Sequence, residues 1–372
     1  MNHILTYSFP DLIIYQHNVP CVTISMPTAR QINKKDQILY KNLVNDAKNR
    51  LTDKYPELNL NKFIQPLEMI KEDQDFWNTT LDGLVILLND QKCVVYKLNT
   101  SIKELCYVAD VFYLRSLQEY FQVDKDYYVL SIDATDFSLY KGNRIGVSEV
   151  KFEEDQPNTY DKIINKGSEE KHQSVRTAGR NTSVYSTGID RSNASTKGLE
   201  KYFRYVDKFI IDNFYKDHKI PLFLVAPDIY HSEIKQLSNN QYLSPSCFSG
   251  TFNTHADNKV KQNIDAVMTE NFIKENKAMI EEYAFSPLLT DNIGTIIENI
   301  TNKQIQMLIF KSDFNLNGKI DFNDNNISQA SDNDLLNDLL VLALRNHVLV
   351  AILPNDSLKL SGGVLAILRN FN

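Results

Sequence analysis

A chain of 372 residues is too long for one ordinary core and predicts two or three domains. Its apolar fraction of 42% and charged fraction of 23% are those of a folded protein and exclude a disordered or fibrous one. A net charge of −7 gives no global basic field, which counts against nucleic-acid binding by the whole surface and leaves only a local patch to do it.

The first segment, residues 1–122, reads as an α/β unit. Asp36 to Leu51 carries Ile38, Leu39, Leu43, Val44 and Ala47 at helical spacing. Leu60 to Met69 predicts a second helix. Two apolar runs, Gly83–Leu88 and Cys93–Tyr96, flank Asn89–Lys92 and predict a hairpin. Leu105 to Phe112 is a further strand candidate.

The middle segment, 123–256, opens with strands Tyr127–Ile132 and Phe137–Tyr140, parted by the turn residues Asp133–Asp136. A polar loop, 155–198, follows without apolar periodicity, and such a loop inside an α/β pattern is uncommon unless it is functional or disordered. The expectation is that Lys166–Ser195 stays irregular, because it buries too little to offset its ordering entropy. Gly198 to Lys216 then predicts an amphipathic helix with Leu199, Phe203, Val206, Ile210 and Phe214 inward. Pro221–Ala226 reads as a buried strand.

The last segment, 257–372, predicts a long helix over Asn258–Tyr283, with Val260, Ile264, Val267, Ile273, Ile280 and Tyr283 inward. Strands are expected at Ile305–Phe310, Val348–Leu353 and Val364–Leu368, and a helix at Asp334–Arg345. Strands alternating with helices predict a three-layer α/β domain with a largely parallel sheet. The run Leu335–Leu353 is interrupted by Asn337, Asp338, Arg345, Asn346 and His347 and does not fit a membrane span. Met1 to Tyr7 lacks the marks of a signal peptide. Cys21, Cys93, Cys106 and Cys247 contain no CxxC pair, so no zinc site or disulfide framework is expected, and a reducing cytoplasm fits best.

Candidate functional residues gather around the long loop. Between Lys162 and Lys208 there are ten Lys or Arg against five Asp or Glu. Lys166, Lys171, Arg176, Arg180, Arg191, Lys197, Lys201 and Arg204 are the candidate phosphate contacts, since such contacts need charge and reach rather than fixed geometry. His172 is a candidate general base, with Glu169 and Glu170 as its neighbouring carboxylates. Asp313–Asp324 has oxygen side chains at positions 1, 3, 5 and 9 of a calcium-loop pattern and Gly318 at position 6. Position 12 is Asp rather than Glu, and a strand rather than a helix precedes the loop, so it is read as a backbone turn. Asp133 and Asp136 are two acids on one hairpin, fewer than a two-metal centre needs. No metal site and no cofactor is expected.

Several stretches, in this order, resemble the archaeal and eukaryotic peptide-chain release factors and Pelota, and more closely their bacterial relatives. They are Val108–Leu117, Asp126–Gly142, Lys171-His172-Gln173-Ser174, Leu199–Asp207 and Ser361–Arg369. The resemblance implies a ribonuclease-H-like middle domain and a C-terminal domain like the small ribosomal proteins that bind kinked RNA. It implies the ribosome or tRNA as partner and a translational GTPase as a further one. In the release factors the loop ends in a Gly-Gly-Gln tip that positions water at the peptidyl-tRNA ester. Here Gln173 stands in that place without the two glycines. The expected role is therefore binding during termination, rescue or stress. The alternatives are ester hydrolysis through Gln173 and a protein-interaction module using the C-terminal domain.

Overall fold

The computed structural model describes residues 3–16, 20–30, 34–154, 156–164, 189–216, 219–253, 258–357 and 362–370. They form two compact units, one of residues 1–124 with 270–372 and one of residues 125–269.

The chain begins with β1 (His3–Leu5), β2 (Cys21–Pro27), α1 (Lys34–Lys54), α2 (Asn61–Glu72) and α3 (Gln74–Asn78). Next come β3 (Gly83–Leu88), β4 (Cys93–Leu98), β5 (Leu105–Ala109) and α4 (Arg115–Phe121). The strands make a sheet of order β1-β4-β3-β2-β5. The expected hairpin is present as β3 and β4, with Gly83 opposite Leu98 and Leu88 opposite Cys93. Strand β2, which no apolar run announces, pairs antiparallel with both β3 and β5. Its Val22, Ile24 and Met26 face the helices, while the alternate Thr23 and Ser25 are also buried. Those two hydroxyls are satisfied: Thr23 Oγ1 accepts from the Tyr113 N–H at 2.9 Å, and Ser25 Oγ donates to the Lys103 carbonyl at 2.7 Å.

The second unit contains β6 (Tyr127–Ile132), β7 (Phe137–Gly142), β8 (Val147–Glu149), α5 (Ile189–Phe214), β9 (Leu222–Ala226), α6 (Asp228–Leu237) and β10 (Leu243–Ser249). The sheet order is β10-β9-β6-β7-β8. Strands β6, β9 and β10 run parallel and are joined by helices, while β7 and β8 continue as antiparallel hairpins. Helix α5 packs Phe203, Val206 and Ile210 into the core, with Leu199 and Phe214 half-buried at its edges, as its spacing predicts.

Helix α7 (Asn258–Glu282) leads to β11 (Leu289–Thr290), α8 (Ile293–Thr301), β12 (Ile305–Lys311), the small β13–β14 ribbon (Lys319–Ile320, Ile327–Ser328), α9 (Leu335–Arg345), β15 (Leu349–Leu353) and β16 (Val364–Leu368). The sheet order is β11-β16-β12-β15. Only β12 and β15 are parallel; β16 runs antiparallel to β12 and β11. The expected largely parallel sheet is thus a mixed one. The connection from 353 to 364 passes over β12 and is shorter than the dozen or more residues that a crossover between parallel strands takes. Gly363, at φ 74°, lies under Phe314, whose ring would meet an added Cβ at 2.2 Å. Any side chain there faces both a left-handed backbone and a filled space.

Within the first unit the two ends of the chain share one apolar core. Val85, Leu87, Tyr96 and Leu117 lie in the same cluster as Ile296, Leu308, Leu336 and Leu340. Polar side chains cross the same boundary. The Arg115 guanidinium pairs with Asp334 at 2.9 Å, both side chains being almost wholly buried. It also donates to the carbonyls of Lys311, Ser312 and Phe314 and to Asn315 Oδ1. Asn337, fully buried, accepts from the Leu114 N–H at 2.8 Å and donates to the Phe112 carbonyl at 2.9 Å. Gln122 donates to the Ile352 carbonyl and accepts from its N–H, supplying edge strand β15 with the partner it lacks in the sheet.

Two expectations follow. Arg115→Met leaves Asp334 buried without its counter-charge and several carbonyls without a donor. A loss of about 3–5 kcal/mol is expected for the first unit by chemical denaturation. Removing the exposed Glu200–Arg204 pair should cost under about 1 kcal/mol. Equal losses would show that the buried network carries no special weight.

Asp338 is the second case. Its carboxyl is 1% exposed; Oδ2 accepts from the Ile320 N–H and Asn333 Nδ2, and Oδ1 has no partner among the described residues. Burial above all, with Asp334 adding to it and the hydrogen bonds and Lys319 opposing, pushes its pKa up from 3.8 to about 7. A folded pKa above the unfolded one means that the contribution is full below about pH 4. It falls as pH rises and is lost above about pH 7. Asp338→Asn keeps both accepted bonds and removes the charge, so it should raise the melting temperature at pH 8 and flatten the profile between pH 4 and 7. A lower melting temperature at pH 8 would contradict this.

Candidate nucleic-acid interface

The interface is built from the β6–β7 hairpin, the entry into the long loop, and helix α5. At the hairpin turn Asp133 Oδ1 accepts from the Thr135 N–H and hydroxyl, both at 2.7 Å, and from the Asp136 N–H at 3.1 Å. Burial raises this carboxyl, but the Thr135 and Asp136 hydrogen bonds outweigh it and leave it below the ordinary aspartate value. Asp133 is committed to shaping the turn.

The loop entry returns onto that turn. The Phe137 N–H donates to the Asn158 carbonyl at 3.0 Å and the Tyr160 N–H to the Thr135 carbonyl at 2.7 Å. Phe152, Tyr160, Ile163 and Ile164 pack on the core. The first part of the segment expected to be a polar loop is therefore docked, because these scattered apolar residues find the hairpin and α5. Helix α5 also begins at Ile189 rather than at the expected Gly198, which lies inside it. Gly198 sits where Tyr160 crosses the helix; an added Cβ would lie 2.2 Å from the tyrosine oxygen. Beneath the turn, burial first and the Asp133 and Asp136 carboxylates next push the Tyr202 hydroxyl well above its usual pKa.

Residues 165–188 lie outside the described residues. They hold Lys166, Lys171, His172, Gln173, Arg176 and Arg180, and most of the stretch Lys166–Ser195 expected to be irregular. The Arg191 side chain is likewise outside them, although its backbone belongs to α5. Lys197, Lys201 and Arg204 are brought together on the exposed side of α5. Lys208, which the sequence reading did not single out, extends the row. Spacings of four, three and four residues put all four cations on one face over about 16 Å, at roughly 1.5 Å rise per residue. The face is opposite the buried stripe and is oriented by it. Arg204 also donates to Glu200 Oε1 at 3.0–3.1 Å, an exposed pair that a ligand phosphate can exchange at small cost. The signal for Lys208 was present in its spacing.

The Asp313–Asp324 stretch is engaged otherwise. Asp313 pairs with Lys103 at 2.5 Å, and Asn315 Oδ1 accepts from Arg115. Asp321 and Asp324 accept from Asn323 and Asn326 within their own turns. Among the described residues no three His, Cys, Asp or Glu side chains come together as a metal site would require. No described helix is long and apolar enough to cross a membrane.

Comparison with known proteins places the middle of the chain. Residues 126–287 match the model of bacterial archaeo-eukaryotic release factor family 3. No curated protein matches. Similar solved structures include the archaeal translation termination factor aRF1, at 12% identity and TM-score 0.24, covering 94% of this chain and 92% of that one. Pelota of Archaeoglobus fulgidus is 12% identical with TM-score 0.35, over 78% and 79% of the two chains. S. cerevisiae Dom34, a translation termination-like factor, is 10% identical with TM-score 0.34, over 77% and 73%. The match spans the second unit and its exit helix, and it is this part of the chain, residues 126–287, that is similar to bacterial archaeo-eukaryotic release factor family 3.

Proposed function

We propose that this protein is a cytoplasmic translation-associated factor that binds the ribosome or tRNA during termination, rescue or stress, without catalysis of its own. The observation that supports it is the exposed row Lys197, Lys201, Arg204 and Lys208 on α5, inside the segment that matches the release-factor family. On a chain of net charge −7, such a row is a local attraction for phosphate rather than a general one. The loop cations Lys166, Lys171, Arg176, Arg180 and Arg191 belong to the same proposed surface. The proposal keeps the division into 1–122, 123–256 and 257–372, with a ribonuclease-H-like middle domain and a C-terminal domain like small kinked-RNA-binding ribosomal proteins. A translational GTPase is the partner proposed for that C-terminal part.

Sedimentation of the tagged protein with ribosomes from its own cells tests the reading. Co-sedimentation is expected at low salt and its loss at high salt. Replacing Lys197, Lys201 and Lys208 by Gln should flatten the salt dependence by roughly two to three units, at about 0.7–0.9 per phosphate contact. An unchanged slope moves the contact elsewhere, and no co-sedimentation at any salt removes it. The same preparation, given ribosomes charged with peptidyl-tRNA, should release no peptide above background. Release that disappears in Gln173→Ala would make the protein a hydrolase instead.

A further inference from the structure

The row of cations on α5 runs into a groove. Between the C-terminal half of α5 and the exit of α6 lies an open cavity of about 230 Å³, lined by Arg204, Asp207, Lys208, Ile211, Leu237 and Asn239. Ile211 and Leu237 give it an apolar floor, both half-buried. Arg204 and Lys208 stand at its rim and are exposed. The remaining charge, Asp207, is committed to the chain: its carboxylate accepts from the Ser238 hydroxyl at 2.5 Å and from the Asn239 N–H at 2.8 Å. Those two bonds hold the 237–239 turn against α5, so the groove is shaped before any ligand arrives. The pocket therefore offers two cations, an apolar floor and the Asn239 amide, against one carboxylate already hydrogen-bonded within the protein.

The geometry points to a nucleotide-binding groove that seats one unstacked base of single-stranded RNA, with the flanking phosphates on Arg204 and Lys208. The inference rests on the RNA-contact reading of α5 and deepens it. The volume is below the roughly 300–1,000 Å³ of pockets for drug-sized ligands and suits a single ring system. The flat face of a base covers Ile211 and Leu237, and its polar edge meets the Asn239 amide, which carries both a donor and an acceptor. Cations at successive turns of one helix face follow a strand of phosphates, and an apolar floor beside them covers the face of a base that has left its stack. A duplex keeps its bases stacked inside and has none to offer.

The test separates the base from the backbone. Wild-type protein is titrated into a labelled oligouridylate of about ten nucleotides, and into an abasic oligomer of the same length and charge, with binding read by fluorescence anisotropy. The oligouridylate should bind about fivefold tighter, the gain from covering roughly 40 Å² of apolar surface at about 25 cal/mol per Å². In Ile211→Ser/Asn239→Ala that preference should vanish while the salt slope of binding stays unchanged. Equal binding of the two oligomers by the wild type overturns the groove and leaves the phosphate row standing. Binding of neither oligomer overturns the row as well. A poly-glutamate peptide that binds, and that Ile211→Ser/Asn239→Ala weakens, assigns the groove to an acidic protein segment and also overturns the proposal. The wild-type comparison needs no variant, so a poorly folding double substitution does not spoil it.

Discussion

The first unit depends on where one guanidinium goes. Arg115 begins a short helix in the N-terminal part of the chain, and its side chain is 4% exposed. A charge buried without partners is one of the costliest things a fold can contain. Here the cost is offset from the far end of the sequence, by the Asp334 carboxylate, the Asn315 amide oxygen and three main-chain carbonyls of 311–314. Those carbonyls lie at the end of β12 and just beyond it, where the chain leaves the sheet. The arginine and the turn therefore satisfy each other. Asp334 closes the set by also capping α9, accepting from the Leu336 N–H.

The same arrangement explains why oxygen-rich spacing at Asp313–Asp324 has another meaning. Asn315 faces Arg115, the Phe314 ring covers Gly363, and Gly318 at φ 151° lets the backbone pass Leu335. A turn that must touch an arginine, a glycine and a helix start selects Asn, Gly and Asp for reasons unrelated to a cation. Sequence separation matters too: Arg115 and Asp334 lie 219 residues apart. Closing so long a loop is costly until both ends have something to bury. The half of the core that contains Val85, Tyr96 and Leu117 completes itself only once Leu308, Leu336 and Leu340 have been synthesised.

How legible these features were in the sequence followed from how each residue spends its polarity. Helix α5 has one apolar face, which its period reveals, while the β3–β4 hairpin is buried on both faces and shows as two unbroken apolar runs. Strand β2 alternates Val22, Ile24 and Met26 with Thr23 and Ser25, a pattern that suggests one solvated face, yet both faces are buried and the hydroxyls meet backbone partners. Helix α9 is buried nearly all round, with Asn337 and Asp338 inside the core, so a polar residue there marks a contact rather than a surface. Gln118 and Gln122 gave no hint that they serve strand β15, because that edge is distant in sequence. The direction of β16 was not readable from its composition, only from the length of the connection before it. At the interface, Lys197, Lys201 and Arg204 were legible by charge alone. The groove was not, since its far wall at 237–239 is the end of α6 and the turn after it, which the Asp207 hydrogen bonds bring against α5 only in the folded chain.

Helix α5 ties the two levels together. The buried row Phe203, Val206 and Ile210 and the exposed row Lys197, Lys201, Arg204 and Lys208 are set by the same 3.6-residue period. Packing the first fixes the face on which the second stands, with Arg204 also paired to Glu200. This matters because long side chains tied down by surface ion pairs gain little, whereas side chains aimed by a rigid helix lose less entropy when a phosphate arrives. With the Debye length near 8 Å at physiological salt, an acidic surface elsewhere on the chain does not cancel a row about 16 Å long. A protein of net charge −7 can therefore still present an attractive face, and the placement of that face follows from which side of one helix is apolar.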